Sequence, residues 1–379
     1  MSDKKHNMKN PFPKEIYLAR RHSKDSGVRG DFFRDQTAII HSMPFRRLKH
    51  KTQVFFAPAN DHVCTRIEHV LHVATIAATI CKGLNAFDWN LDIDMAYAMG
   101  LGHDLGHTPF GHAGEDALRK ILGLKLNFMH ELNSYRVVEY LSNHGKGLNL
   151  TFGVKDGIIC HNGERDDNKL KPASVPNDLD AINNRNNMPS SYEGCIMRFS
   201  DKIAYLGRDI EDALIAGFIK KEDIPEDIRK ELGSTNGEII NTLVADVIVF
   251  SSDKDHIAFS DEKYEIMTKL KKFNYQYIYN NPELLRYNKF CSKIITTLFE
   301  HYTNMFEING VDFNKYKSLD LKSDRAFGHY VESLYEFYKS ENADVLRIVT
   351  DYIAGMTDFY ALETIKEITI PAPLQFKKK

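Results

Sequence analysis

The chain has 379 residues, of which 42% are hydrophobic and 27% are charged, and its formal net charge is −2. This length can bury a large core and suggests two lobes or one large domain rather than a small module. A nearly neutral chain has no global basic field to recruit nucleic acid, so an anionic substrate would have to be attracted locally.

Helical periodicity dominates wherever a period is clear. In residues 67–84 apolar side chains recur at steps of three and four, which predicts a helix with one face in the core. Residues 95–105 are apolar and alanine-rich, and this helix should end near residues 106–109, because proline disfavours helical geometry in the residue before it. Asn281 and Pro282 form a good start signal, as N-cap and first-turn proline. Further helices are predicted at residues 115–122, 133–141, 198–218, 239–251, 264–275, 282–306 and 343–356.

Little of the sequence favours β structure. A short hairpin at residues 55–63 and a strand at residues 367–371 are the best candidates. Residues 162–191 are rich in Asn, Asp, Pro and Ser, which predicts a long loop or a mobile lid. The fold class is therefore predicted to be mainly α, with few short strands.

The cysteines and the apolar segments indicate a cytoplasmic protein. The five cysteines form no C-x-x-C pair, which is typical of reduced thiols and excludes a structural zinc knuckle. The N-terminus, MSDKKHNMKN, is polar, and no later segment offers eighteen uninterrupted apolar residues. We therefore expect no association with a membrane.

Histidines crowd one part of the chain, and a buried helix face does not need so many imidazoles. His103 and Asp104 are adjacent there, and a mixed imidazole and carboxylate shell suits a hard or borderline divalent metal. Taken alone, His69 would more often be a structural histidine, and Asp201 a carboxylate in the first turn of a helix. The histidines in this stretch are His62, His69, His72, His103, His107, His112 and His130.

The motifs together resemble the HD-domain phosphohydrolases, and among them the bacterial dGTPase-like deoxynucleoside triphosphate triphosphohydrolases. A bare His-Asp doublet would be weak support, but extended blocks in the family's order are specific. They span residues 46–54 (RRLKHKTQV), 65–69 (TRIEH), 102–115 (GHDLGHTPFGHAGE), 201–205 (DKIAY), 209–212 (DIED) and 355–358 (GMTD).

The resemblance implies a metal centre and an acid/base pair. The metal ligands would be His69, His103, Asp104 and Asp201, and the metal manganese or magnesium, with iron, cobalt, nickel or zinc as other candidates. His112 and Glu115 would form the acid/base pair, because an imidazole near neutral pKa can move a proton and a carboxylate fixes its tautomer. His130 is a second catalytic candidate.

The resemblance also implies a substrate site. His107 would contact phosphate oxygens, and Arg66 and Lys202 would offset phosphate charge. The residues assigned to the substrate site are Gln53, Arg66, His107, Lys202, Tyr205 and Asp209. Three features depart from the family pattern: His72, residues 206–208 directly before the Asp209 block, and the long loop of residues 162–191. We interpret His72 as structural. For the basic residues of the block at 46–51, a solvated face and a phosphate or regulatory-nucleotide role are about equally favoured.

The implied reaction is hydrolysis of a dNTP at the α-phosphorus, which releases a deoxynucleoside and intact triphosphate. Two alternatives stay open: an HD phosphohydrolase acting on nucleoside monophosphates or cyclic nucleotides, and a nucleotide-sensing or nucleic-acid-binding protein without turnover. The sequence contains no P-loop, which argues against an ATPase.

The resemblance further implies a homo-oligomer, a hexamer or tetramer, and a regulatory nucleotide as a second ligand. Family members can bind single-stranded DNA, although the weak net charge argues against it here. We expect an N-terminal segment with the nucleotide-contact block (residues 1–60), an HD catalytic core with the long loop (61–220), and a helical C-terminal region packed on that core (221–379).

Overall fold

The computed structural model describes residues 9–25, 27–54, 64–162 and 167–370. The described residues are mainly helical, which confirms the predicted fold class. In the first half the helices are α1 (Lys14–Leu18), α2 (Asp31–Ile40), α3 (Met43–Arg47), α4 (Arg66–Asn85), α5 (Ile93–Gly102), α6 (Gly111–Leu122), α7 (His130–Arg136), α8 (Ser142–Gly145), α9 (Phe152–Ile159) and α10 (Tyr192–Ile215).

The second half continues with α11 (Glu226–Leu232), α12 (Asn236–Ser251), α13 (Asp261–Asn274), α14 (Pro282–Asn309), α15 (Phe313–Lys317), α16 (Lys322–Ser333), α17 (Tyr335–Ser340), α18 (Val345–Ala354) and α19 (Asp358–Thr369). Single π turns follow α7 at Val137–Leu141 and α13 at Tyr275–Tyr279. Single 3-10 turns lie at Gly27–Arg29, Leu48–His50, Leu179–Ala181 and Lys221–Asp223.

The strands of the described residues are β1 (Lys169–Leu170) and β2 (Ile257–Ala258), which pair antiparallel. The strand predicted at residues 367–371 is wrong for its first three residues, which lie in the last turn of α19. A short alternating pattern cannot be distinguished from one face of a helix that continues from upstream. The hairpin predicted at residues 55–63 lies outside the described residues.

Local sequence explains where the central helices begin. Thr65 and Glu68 form a capping box at the start of α4, and Asn281 caps α14 directly before Pro282, as predicted. Helix α5 ends at Gly102, earlier than predicted, because residues 103–110 form a tight loop in which Phe110 has a left-handed φ of +63°. Helix α6 therefore starts at Gly111. We call residues 103–112 the histidine loop.

Helices α4, α5 and α10 pack against one another in the larger hydrophobic core. The crossing of α4 and α5 is very close: a Cβ on Gly100 would lie 2.5 Å from the Cα of Ala74. Among the described residues α4 is the one helix long and apolar enough to cross a membrane, by length and composition alone. Half of its most apolar stretch is buried, and its place in this core marks it as an interior helix.

A second hydrophobic core joins α6 to the C-terminal helices. It contains Phe110 and Leu118 from the histidine loop and α6, together with Tyr302 of α14 and Val349 of α18. The C-terminal helices therefore support one side of the histidine loop directly. In the described part of the 162–191 segment, Asn177 and the backbone of Ser190 donate hydrogen bonds to Asp156 of α9, at 2.7 and 2.6 Å.

Candidate metal and phosphohydrolase site

Three helices bring His69, His103 and Asp201 to one point. His69 lies in α4, Asp201 in α10, and His103 directly follows α5. The Nε2 atom of His69 is 3.0 Å from Oδ1 of Asp201, and Nε2 of His103 is 3.8 Å from the same oxygen. Their donor atoms lie within 4.8 Å of one another, a spacing at which they could hold one metal ion.

His103 has the tautomer that a metal ligand needs. Its Nδ1 lies 2.8 Å from the carbonyl oxygen of Gly100, and because a carbonyl can only accept, Nδ1 carries the proton. The lone pair is then on Nε2, which is buried without a hydrogen-bond partner. Burial lowers the pKa of His103 to about 4, so the ring is neutral. In metal sites the ring nitrogen of a histidine that does not bind the metal commonly donates a hydrogen bond to a backbone carbonyl.

Asp104 connects this group to a buried arginine. Its Oδ1 lies 3.7 Å from Nε2 of His103, while its Oδ2 accepts a hydrogen bond from NH1 of Arg66. Burial opposes the charge of Asp104, but Arg66 and the neighbouring histidines hold its pKa well below the usual range. For Asp201 burial is likewise outweighed, by the hydrogen bond from His69 and by His103, and the pKa falls to about 2. Both carboxylates are therefore ionised at neutral pH, as metal ligands must be.

Four imidazoles continue the site beyond this group. The ring of His107 stacks on those of His112 and His130, at centroid distances of 5.1 and 4.5 Å. His130 in turn faces His161, with 3.1 Å between the two Nε2 atoms. His112 is exposed and the other three are buried. One edge of the cluster is therefore open to solvent.

Glu115 is held by a histidine and two arginines. Its carboxylate accepts from Nδ1 of His130 at 2.8 Å, from Arg119 at 2.6 Å and from Arg185 at 3.3 Å. Burial opposes the charge of His130, but Glu131 and Glu115 outweigh it and raise the pKa to about 10. The sequence pairs Glu115 with His112; these two residues and His107 have donor atoms within 4.8 Å of one another. The imidazoles of His130 and His112 therefore both lie close to the carboxylate of Glu115.

The predicted substrate residues are buried or half-buried. Oε1 of Gln53, Nε and NH2 of Arg66 and Nδ1 of His107 are buried without hydrogen-bond partners. Lys202 is buried next to Asp201 on α10, and Tyr205 is half-buried one turn further on.

Asp209 lies further along α10. It is buried and accepts a hydrogen bond from the hydroxyl of Tyr279. Burial and the nearby charge of Asp212 raise the pKa of Asp209 to about 7. A carboxyl that is about half protonated near neutral pH can donate as well as accept a hydrogen bond.

Sequence reasoning missed three residues in or beside this site and left the role of a fourth open. His161 is a single histidine after α9, and Arg185 lies in the long loop, where its guanidinium lies 2.8 Å from Glu131. Asp358 belongs to a block that the resemblance used, but it was given no role. For Lys51 the predicted solvated face is wrong, because the residue is buried and its Nζ donates to the backbone carbonyls of His107 and Ala354. No local spacing points to these residues, because their partners lie far away along the chain.

Comparisons with known proteins agree with this geometry. Residues 66–206 match the model of the HD domain, and residues 257–367 match that of the phosphohydrolase-associated domain. A deoxyguanosinetriphosphate triphosphohydrolase-like protein of Caldanaerobacter subterraneus is 40% identical over 353 residues, which is 93% of this chain and 89% of the relative. The chain belongs to the dGTPase-like family of HD-domain proteins. A second member, from Desulfatibacillum aliphaticivorans, is 35% identical over 92% of this chain and 90% of its own length.

Membership of the dGTPase-like family confirms the resemblance drawn from the motifs and places the chain among the phosphohydrolases. The HD match includes His69, His103 and Asp201, so the candidate metal group lies within that domain, and it also includes the neighbouring Asp104. The associated-domain match ends at residue 367 and includes Asp358, which contacts the histidine loop.

Proposed function

We propose that the chain hydrolyses deoxynucleoside triphosphates, dGTP or several dNTPs, to deoxynucleoside and inorganic triphosphate in a reaction that requires a divalent metal. The curated relatives are named for dGTP triphosphohydrolysis. The main structural support is the group of unpaired buried polar atoms on Gln53, Arg66, His103 and His107. Buried polar atoms in folded proteins are nearly always paired, so this concentration favours a polar, charged ligand that completes them.

The donor set fits a divalent cation. His69, His103, Asp104 and Asp201 would hold it, through imidazole nitrogens and ionised carboxylates. Manganese or magnesium suits the carboxylates, and iron, cobalt, nickel or zinc would also accept the imidazoles. Such an ion supplies Lewis-acid polarisation of a phosphoryl oxygen and lowers the pKa of water.

Cationic side chains would bind the triphosphate. One N–H of Arg66 is engaged by Asp104, and the unpaired Nε and NH2 of the same guanidinium are available for phosphate oxygens. Lys202 adds an ammonium group, and His107 adds the unpaired Nδ1. These donors compensate for the chain's lack of net positive charge, since they act at short range in a buried site.

Other side chains would bind the nucleoside. Gln53 offers an unpaired amide oxygen to a sugar hydroxyl or base N–H. Tyr205 and Asp209 would line the sugar side, where Tyr279 fixes the orientation of Asp209.

Proton transfer would fall to His112 with Glu115. His112 is the imidazole at the open edge of the cluster, where a leaving 5′-oxygen could reach it, and its Nδ1 lies 3.2 Å from His107. Glu115 would keep a cationic imidazole stable during the reaction. His130 is the second candidate, because its raised pKa keeps it protonated and able to donate.

We further propose a cytoplasmic homo-oligomer, a hexamer or tetramer, with a regulatory nucleotide as a second ligand. Single-stranded DNA is a weaker candidate, because the net charge is only −2.

Product analysis tests the proposed reaction. The purified protein is incubated with each dNTP and Mn²⁺ or Mg²⁺, and products are resolved by anion-exchange chromatography. Tripolyphosphate and deoxynucleoside in equal amounts are expected, with none after chelation of the metal or in Asp104→Ala. His22→Ala, a change in an exposed side chain, is the matched control and should retain the full rate. Formation of pyrophosphate or orthophosphate alone would rule out this reaction.

A further inference from the structure

Asp358, the first residue of α19, connects the C-terminal region to two distant segments of the site. Its Oδ2 accepts from the backbone N–H of Thr52 at 2.8 Å and from the hydroxyl of the same residue. Its Oδ1 accepts from the backbone N–H of Phe110 in the histidine loop at 2.9 Å. The side chain is 3% exposed. One buried carboxylate therefore joins the segment that carries Gln53 to the loop that carries His107 and His112.

Lys51 links the segment that carries Gln53 to the histidine loop and to the end of α18. Its ammonium group donates to the carbonyl of His107 and, at 2.9 Å, to the carbonyl of Ala354 at the end of α18. Its own carbonyl accepts from the backbone N–H of Arg66 at 3.2 Å. Lys51 is 2% exposed, so these carbonyls replace water around its amino group.

The histidine loop needs such support at this point. Phe110 adopts a left-handed φ of +63°, which costs a non-glycine residue about 1 kcal/mol. Gly111 follows with φ +58°, and together the two residues turn the chain from the loop into α6. The hydrogen bond from Phe110 to Asp358 fixes the backbone between His107 and His112 at its most strained residue.

We propose that Asp358, together with Lys51, positions the histidine loop for catalysis, so that the C-terminal region is a working part of the active site. The kinetic part of this inference rests on the proposed function; the structural part does not. Asp358 touches no reacting group and acts through the backbone of Phe110. Each oxygen of its carboxylate accepts hydrogen bonds from donors. In an asparagine at this position the side-chain NH2 would face one of these donors instead of accepting from it.

Asp358→Asn is the decisive variant. Its amide oxygen should face Thr52, which offers two donors, and its NH2 should face the N–H of Phe110. We expect kcat to fall roughly 10- to 100-fold while KM and bound metal stay near wild type, because a displaced catalytic group slows the chemical step. Hydrogen exchange measured by mass spectrometry should become faster in a peptide covering residues 106–112.

Asp324→Asn is the matched control, because Asp324 is also a buried C-terminal carboxylate, but it accepts from His301 at 2.8 Å, away from the loop. It should change neither kcat nor exchange in residues 106–112. Should Asp358→Asn fail to fold, Lys51→Met, which removes the donor to His107, is measured instead with the same expectations.

Exchange and kcat equal to those of the control would overturn the inference, and so would a lower kcat without faster exchange. If the wild-type chain hydrolyses no dNTP, the proposed function fails, but the exchange experiment still decides whether Asp358 holds the loop.

Discussion

The carboxylate of Glu115 accepts a hydrogen bond from Nδ1 of His130 across 2.8 Å, although His112 is the histidine closer to it in sequence. His130 begins α7, which packs beside the histidine loop, so the contact depends on tertiary structure. His130 is therefore buried and hydrogen-bonded to Glu115, whereas His112 is exposed at the edge of the histidine cluster that is open to solvent.

This division gives a test of the acid/base assignment. We expect His112→Ala to lower kcat by about 100- to 10,000-fold, the range for loss of a general acid, with metal content unchanged. The melting temperature should stay near wild type, because His112 is exposed. Steady-state kinetics and metal analysis check this, with His22→Ala as control. A substantial residual rate would transfer the role to His130.

Arg66→Lys tests the triphosphate assignment. Lysine can keep a charge beside Asp104 but loses the planar fork whose Nε and NH2 atoms are unpaired. We expect KM for dNTP to rise about tenfold or more, since a bidentate phosphate contact is lost. The ligand groups remain, so metal content should not change. An unaltered KM would place the triphosphate elsewhere.

Gly100→Ala tests how helix packing sets the metal group. The new Cβ would lie 2.5 Å from the Cα of Ala74, so α4 and α5 must move apart and separate His69 from His103. We expect a loss of about 1–3 kcal/mol in the free energy of unfolding, as for other overpacked cores. Metal affinity, measured by calorimetry, should fall with it.

Gly237→Ala is the matched control for this substitution. A Cβ at this position in α12 meets no atom within 4 Å, so the variant should match or slightly exceed wild-type stability. Equal metal affinity in Gly100→Ala and Gly237→Ala would contradict the packing argument.

Glu193 should make stability depend on pH. Burial raises its pKa from 4.5 to about 7, although Asp92 N–H and Asn10 donate to it at 2.7 Å. Between these values the folded state binds an extra proton, so stability falls as pH rises, by at most about 1.4 kcal/mol per pH unit. In Glu193→Gln this contribution should disappear from urea unfolding measured at pH 5 to 7. Glu307→Gln, in an exposed position of α14, should keep the wild-type slope.

The sequence could predict those features that depend on near neighbours. The helices with clear periodicity and the His103-Asp104 doublet were found in this way, and the blocks in family order pointed to the HD domain. Helix α2 was missed because its buried face includes Arg34, Asp35 and Gln36 besides Phe32 and Ile39, so the apolar residues alone do not mark that face. The first residues of the strand predicted at 367–371 belong to α19, which was also not predicted.

The remaining parts of the site depend on contacts between distant segments. Asp358 is 248 residues from Phe110 and 306 from Thr52, and His161 is 31 residues beyond His130. The partner of Glu115 is also set by the tertiary placement of α7. Spacing along the chain can indicate which residue types are present, but it cannot assign such partners.

The contact of Gly100 with Ala74 leaves no space for a side chain on residue 100 where α4 crosses α5, close to His69 and His103. The spacing of these imidazoles is therefore fixed by two backbones and cannot be restored by a change of rotamer. In a random-mutagenesis library, substitutions at this crossing should therefore lower activity more strongly than substitutions in the outer helices. Natural variation of the chain should then concentrate in the outer helices and the 162–191 segment, where substitutions leave the candidate metal group undisturbed.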